Sequence, residues 1–148
     1  MADKMDMYYF SPTGGTKKVS SIFAAALGRD VVWHNLGSKQ TISGKPQGDL
    51  AVVAAPVFGG RIPYVVREKI KKLDGKGKRA VTIAVYGNRA YEDALLELND
   101  ILIEGGFTVI DSAAFVAQHS IVPEVGAGRP DFEDEKEIRA FAEAVQRS

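Results

Sequence analysis

The chain contains no cysteine among its 148 residues. Disulfides, thiolate catalysis, cysteine-ligated zinc and iron–sulfur clusters are therefore excluded within it. Histidine is nearly absent too: His34 and His119 lie far apart and give no metal-ligand spacing. Neither sign of charge is in excess, with Lys+Arg and Asp+Glu at 19 each, so the basic surplus of a nucleic-acid-binding protein is missing. No apolar stretch is long enough to cross a bilayer, and no membrane insertion is expected. The opening residues, Met1-Ala2-Asp3-Lys4, lack the layout of a secretory signal. The expectation is a cytoplasmic protein.

What is present fits one domain over residues 1–148, with 45% hydrophobic and 26% charged residues. A short apolar run ending at Phe10 reads as a strand from about Asp6. After Thr16, residues Val19, Ile22, Phe23, Ala26 and Leu27 recur at helical spacing, with Gly28 as the stop. Val31 to Leu36 reads as a second strand, and the polar stretch Gly37 to Gly48 as a loop in place of a helix. Leu50 to Ala55 and Ala80 to Val85 are nearly continuous apolar runs, as in strands buried on both faces. Helices are predicted over Tyr64 to Leu73, Tyr91 to Glu104 and Phe132 to Gln146, the last facing inward through Ile138, Phe141 and Val145. A fifth strand starts at Phe107 and is expected to bend and resume at Ala113. The alternation implies an α/β fold of three layers: an open, parallel, five-stranded sheet with helices on both faces. With strand order 2-1-3-4-5, ligands belong outside the carboxyl ends of the strands, where the order reverses between strands one and three.

Three unusual loops fall on that rim. The first is Ser11-Pro12-Thr13-Gly14-Gly15-Thr16, hydroxyls and paired glycines immediately before a helix. Unpaired N–H groups and the positive end of the helix dipole suit such a turn to an anion, phosphate above all. The second runs from Pro56 through Val57, Phe58, Gly59 and Gly60 to Pro63, and the third from Tyr86 through Gly87, Asn88 and Tyr91 to Glu92. Their glycines permit close backbone approach, and Phe58, Tyr86 and Tyr91 supply flat faces. Phosphate at one loop and aromatics at the other two suit a ring that carries a terminal phosphate.

Other phosphate sites are excluded by spacing. Gly14-Gly15-Thr16-Lys17-Lys18 does not match G-x-x-x-x-G-K-[ST], and G-x-G-x-x-G is absent. A receiver domain needs acids at the end of the first strand, where Phe10 and Ser11 stand. Alone, the first loop is no more than a capped helix start; the two glycine loops on the same rim give it a further meaning.

Tyr9-Phe10-Ser11-Pro12-Thr13-Gly14-Gly15-Thr16 resembles the phosphate loop of flavodoxins, S/T-x-T-G-x-T. Ala55 to Pro63, Tyr86 to Leu95 and Ala117-Gln118-His119-Ser120 are similar to the flavodoxin-like domains that occur fused to a two-cluster ferredoxin. The resemblance implies a flavodoxin-like fold, noncovalent FMN, and electron transport by a flavin cycling between oxidised, semiquinone and hydroquinone states. Ser11, Thr13, Gly14, Gly15 and Thr16 would hold the phosphate. Pro56, Val57, Phe58, Gly59 and Gly60, with Tyr86, Gly87, Asn88 and Tyr91, would flank the isoalloxazine, Gly59 or Gly60 turning a carbonyl toward it.

Two departures bear on function. Without ferredoxin cysteines, electrons must pass to a separate redox protein, whether ferredoxin, reductase or acceptor enzyme. The balanced charge, with Arg61 and Arg89 in the flavin loops, predicts a hydroquinone couple less negative than in an acidic flavodoxin. An FMN-dependent NAD(P)H:quinone-type oxidoreductase and a flavin-free regulatory domain share the same expected fold and stand as alternatives. Beyond the loops, His34 is expected to pack or face solvent, and the basic stretch from Lys69 to Arg79 to be a solvated face or a dock for an acidic partner.

Overall fold

In the computed structural model of the chain, residues 4–12, 14–38, 44–57, 61–86, 92–116 and 132–147 are described. Five strands and four helices follow in the order β1 (Lys4–Tyr9), α1 (Gly15–Leu27), β2 (Asp30–Asn35), β3 (Leu50–Pro56), α2 (Tyr64–Ile70), β4 (Arg79–Tyr86), α3 (Glu92–Glu104), β5 (Thr108–Val116) and α4 (Phe132–Gln146). All neighbouring strands are parallel and their order is β2-β1-β3-β4-β5, as predicted.

The period of two along each strand sorts side chains between two cores. Met5, Met7 and Tyr9 of β1, Val52 and Ala54 of β3, and Ile83 and Val85 of β4 face α1 and α4, where they meet Val19, Phe23, Leu27, Ile138 and Val145. The alternate residues Tyr8, Ala51, Val53, Ala55 and Ala84 meet Val66 and Ile70 of α2 and Leu98 and Leu102 of α3. The central strands are therefore apolar on both faces, which is why they read as unbroken runs.

Several predicted boundaries shift: β1 runs Lys4–Tyr9 rather than Asp6 to Phe10, β2 runs Asp30–Asn35 rather than Val31 to Leu36, and β5 starts at Thr108 rather than Phe107. The α2 helix ends at Ile70, three residues before the predicted Leu73, and the backbone turns at Lys71 and Lys72. The fifth strand is continuous rather than broken at residues 111 and 112. Ala80 pairs with Val109 and Val81 with Asp111, so a bulge absorbs Ile110 and the ladder carries on. Pro56 closes β3 rather than opening the loop after it, opposite Val85. Gly28 does end α1, at φ 74° with its N–H donating to the Ala24 carbonyl.

Residues 44–49, in place of a helix between β2 and β3, lie over β1 as a strap. Gly48 makes this possible: a Cβ there would stand 2.1 Å from the Lys4 carbonyl oxygen. Its N–H reaches Asp6 Oδ1 at 2.7 Å. The basic stretch fastens the same region, with Lys78 Nζ donating to the Gly48 carbonyl at 2.7 Å, Lys69 Nζ to the Ser38 carbonyl, and Arg79 pairing with Asp49. Much of that stretch is thus neither a bare solvated face nor a free docking patch.

Candidate functional site

The chain leaves β1 to form α1 on one face of the sheet and leaves β3 to form α2 on the other. Turns departing from adjacent strands to opposite faces open a crevice between them at the carboxyl ends. The first turn sits there. Gly14 is the N-cap of α1 at φ 92°, a left-handed conformation that side-chain-bearing residues rarely adopt, and apart from its chain neighbours no atom of the described residues lies within 4 Å of where its Cβ would be.

Ser11 accepts a 2.8 Å hydrogen bond from the Lys17 N–H, satisfying one of the first donors of α1 from outside the helix. The hydroxyl proton of Ser11 has no acceptor among the described residues. Among the described residues nothing accepts the N–H groups of Gly15 or Thr16. Thr16, which carries another hydroxyl of this stretch, is 3% exposed. The first turn of α1 contains no acid to oppose an anion. Lys17, which as a cation is unfavourable at a helix start, has its ammonium 5.8 Å from the centre of the Tyr9 ring. Beside this turn the exit of β2 is tied down: the Leu36 N–H donates to the Tyr9 carbonyl at 2.7 Å and the Gly37 N–H to Asn35 Oδ1 at 2.8 Å.

The other predicted residues divide. Pro56 and Val57 stand at the end of β3; the Val57 N–H donates to the Val85 carbonyl at 3.0 Å and its side chain is buried with Ile62. Any contact of Val57 with a ligand therefore falls to its backbone. Tyr86 closes β4, half-buried against the core on the α2–α3 side. Ser11, Gly14, Gly15, Thr16, Pro56, Val57 and Tyr86 all lie at the carboxyl end of the sheet. Thr13, Phe58, Gly59, Gly60, Gly87, Asn88 and Tyr91 lie outside the described residues, as do Arg89 and His119.

Arg61 is engaged. Its Nη2 donates to Glu97 Oε2 of α3 at 2.6 Å, and Arg67 of α2 approaches the same oxygen at 3.5 Å. The elements that follow the second and third loops are thus joined through one carboxylate. Glu97 Oε1 and Arg67 Nε are buried without a partner among the described residues. A groove of about 370 Å³ runs here between α2 and α3. No sequence pattern marks this cluster, because Arg61 and Glu97 are 36 residues apart.

Sequence reasoning also missed Asp6. Its carboxylate is fully buried, 2.8 Å from His34 Nε2, and accepts the Gly48 N–H. Burial by itself raises the pKa of such a group. The hydrogen bonds from His34, Gly48 and Gln47, with the charge of His34, more than offset this and hold Asp6 below the ordinary carboxylate range. His34 stacks on Tyr8 with ring centres 4.4 Å apart, so it packs, as one of its two expected roles required. Burial and the nearby Asp6 push the Tyr8 hydroxyl well above its usual range. The available signal was a lone acid between two methionines in an apolar strand. Among the described residues no set of His, Asp and Glu is arranged to hold a metal ion, and no helix is long and apolar enough to cross a membrane.

No protein-family model matches the chain, and no curated protein matches it by sequence. Solved structures match by shape. A flavodoxin from the domain Archaea superposes with a TM-score of 0.74 at 16% identity, over 97% of this chain and 96% of that one. A flavodoxin of Streptococcus pneumoniae TIGR4 gives 0.71 at 19% identity, over 95% of each chain. The rubredoxin oxygen:oxidoreductase of Desulfovibrio gigas gives 0.71 at 18% identity, with 97% of this chain matching 35% of that protein. At these identities the likeness is one of fold: the chain has the flavodoxin-like architecture, which also occurs as part of a larger oxidoreductase.

Proposed function

We propose that this chain binds FMN and acts as an electron-transfer protein with a separate redox protein as its partner. The observation that carries this reading is the turn before α1. It presents a left-handed glycine at the helix N-cap, N–H groups on Gly15 and Thr16 that have no acceptor among the described residues, and hydroxyls at Ser11 and Thr16, at the end of the strand where the order reverses. These groups fit a phosphomonoester: the hydroxyls and N–H groups are donors, and no acid stands in the first turn to repel it.

In this reading Ser11, Thr13, Gly14, Gly15 and Thr16 hold the phosphate. The backbone from Pro56 to Gly60, with Tyr86, Gly87, Asn88 and Tyr91, borders the ring and limits its contact with water. When bound, FMN supplies the electron-transfer chemistry, and the chain's residues bind and orient it.

The absorption spectrum of the purified protein and its heat stability with excess FMN test the reading. A flavin spectrum, or a rise in Tm with FMN, is expected, since a ligand of the folded state must stabilise it. Colourless protein without that rise would refute the proposal. Thr16→Val removes one hydroxyl at nearly constant volume and should weaken FMN binding about tenfold, by loss of a charge-assisted hydrogen bond. Unchanged affinity would place the phosphate elsewhere.

A further inference from the structure

We propose that Asn35 and Gly37, at the exit of β2, position the anion-binding turn through the ring of Phe10 and so favour a phosphorylated ligand, a role that rests on the proposed FMN site. Tyr9 and Asn35 are partners across β1 and β2, so the two strands end side by side where the turn begins.

Backbone grips the strand end of the turn from both sides. The Phe10 N–H donates to the Ala54 carbonyl of β3 at 3.2 Å, and the Leu36 N–H donates to the Tyr9 carbonyl at 2.7 Å. At the helix end, Ser11 accepts the Lys17 N–H at 2.8 Å. Ser11, the first hydroxyl of the turn, therefore hangs directly on Phe10. Ring and backbone of Phe10 share one Cα, so a wedged ring fixes the direction in which the chain leaves for Ser11.

Gly37 is the wedge. A Cβ there would stand 3.2 and 3.3 Å from Phe10 Cε1 and Cδ1, and 3.3 Å from Asn35 Oδ1. Its φ is not positive, so the close approach of the ring calls for glycine, not the backbone conformation. Asn35 sets Gly37 in place. Its Oδ1 accepts the Gly37 N–H at 2.8 Å, and its carbonyl accepts the Ser38 N–H at 3.1 Å. Lys69 of α2 holds the next carbonyl, that of Ser38.

The fold alone has little need of this brace. Asn35 and Gly37 are both exposed, and substitutions at exposed positions cost a fold little. A bound anion is more demanding, because charge-assisted hydrogen bonds weaken steeply as distance and angle depart from the optimum. A turn shifted by less than an ångström loses ligand contacts before it loses stability. The loss falls on the phosphate, which the turn holds, and spares the ring, which the second and third loops border.

The test compares FMN with riboflavin, which has the same ring and no phosphate. Asn35→Ala should weaken FMN binding about fivefold, as one charge-assisted hydrogen bond loses its geometry. Riboflavin affinity and the unfolding midpoint of the ligand-free protein should barely move, while the ³¹P resonance of bound FMN should shift. Asn35→Ser, whose hydroxyl can accept the same N–H, should recover most of the loss. Phe10→Leu should weaken FMN in the same way, and adding Asn35→Ala to it should cost little more, since the two act in series. Unchanged FMN affinity in Asn35→Ala, an equal loss for riboflavin, no recovery in Asn35→Ser, or full additivity with Phe10→Leu would overturn the proposal. A parent chain that binds neither flavin refutes the proposed function and this role with it. A parent that binds FMN no better than Asn35→Ala does refutes this role alone.

Discussion

On one face of the sheet, the rings of Phe23, Phe115 and Phe141 meet between α1 and α4 at centre distances of 5.6 and 5.9 Å, in a core of apolar side chains. On the other face, directed polar bonds share the work. His34 and Gly48 meet on Asp6, Thr82, Asn99 and Ser112 form a closed network, and Arg61 and Arg67 meet on Glu97. The first face has two long helices and is fastened mainly by dispersion and burial, with one hydrogen bond from Gln146 Nε2 to the Leu27 carbonyl at 2.6 Å. The second has a seven-residue helix, a strap of irregular chain and a groove. Backbone without regular structure leaves polar groups that must be paired. The second and third loops of the candidate site lead into this second face, so the site is set by bonds that a single substitution can cut.

The largest expected effect is on the apolar face. Phe23→Ala should cost about 3–5 kcal/mol of unfolding free energy, read from denaturant midpoints, with little effect on FMN affinity. A cost under about 1 kcal/mol would mean that this face is less tightly packed than its rings indicate.

On the polar face, Asp6→Ala leaves His34 and the Gly48 N–H without their acceptor and should cost about 2–3 kcal/mol. Because the folded-state pKa of Asp6 is depressed, its contribution is present above the unfolded value of about 4 and is lost as pH falls through the lower folded value. The gap in stability between the parent chain and Asp6→Ala should therefore be constant at neutral pH and close below about pH 4. A gap independent of pH down to acid unfolding would remove the carboxylate from this role.

A smaller effect is expected from Lys69→Met, which removes the ammonium held by the Ser38 carbonyl. It should cost about 1 kcal/mol and speed proteolysis near the exit of β2. Smallest of all is Glu97→Gln. Exposed or half-exposed ion pairs are worth at most about 1 kcal/mol, and Arg61 is 62% exposed. Freed of this counter-charge, Arg61 should raise the midpoint potential of the FMN-loaded protein, by no more than about 40 mV for one electron. The pairing also tempers what Arg61 would contribute to the expected less negative potential, because Glu97 offsets much of its field. A lowered potential in Glu97→Gln would contradict this account.

The strand runs, the helix stripes and the turn from Ser11 to Thr16 were legible in the sequence because each depends on neighbours two to four positions away. That spacing was enough to determine the elements and layers; the order 2-1-3-4-5 was an added expectation, which the tertiary structure bears out. Ile110 was misread because a bulge breaks the period that a strand is recognised by. Whether Lys69, Lys78 and Arg79 face solvent or bind the chain's own carbonyls and carboxylates could not be read locally either. Asp6 reaches His34 across 28 residues and Gly48 across 42, and Arg61 reaches Glu97 across 36. Only the packing of distant segments decides which polar groups meet and which, like the Gly15 and Thr16 N–H groups, find no acceptor among the described residues.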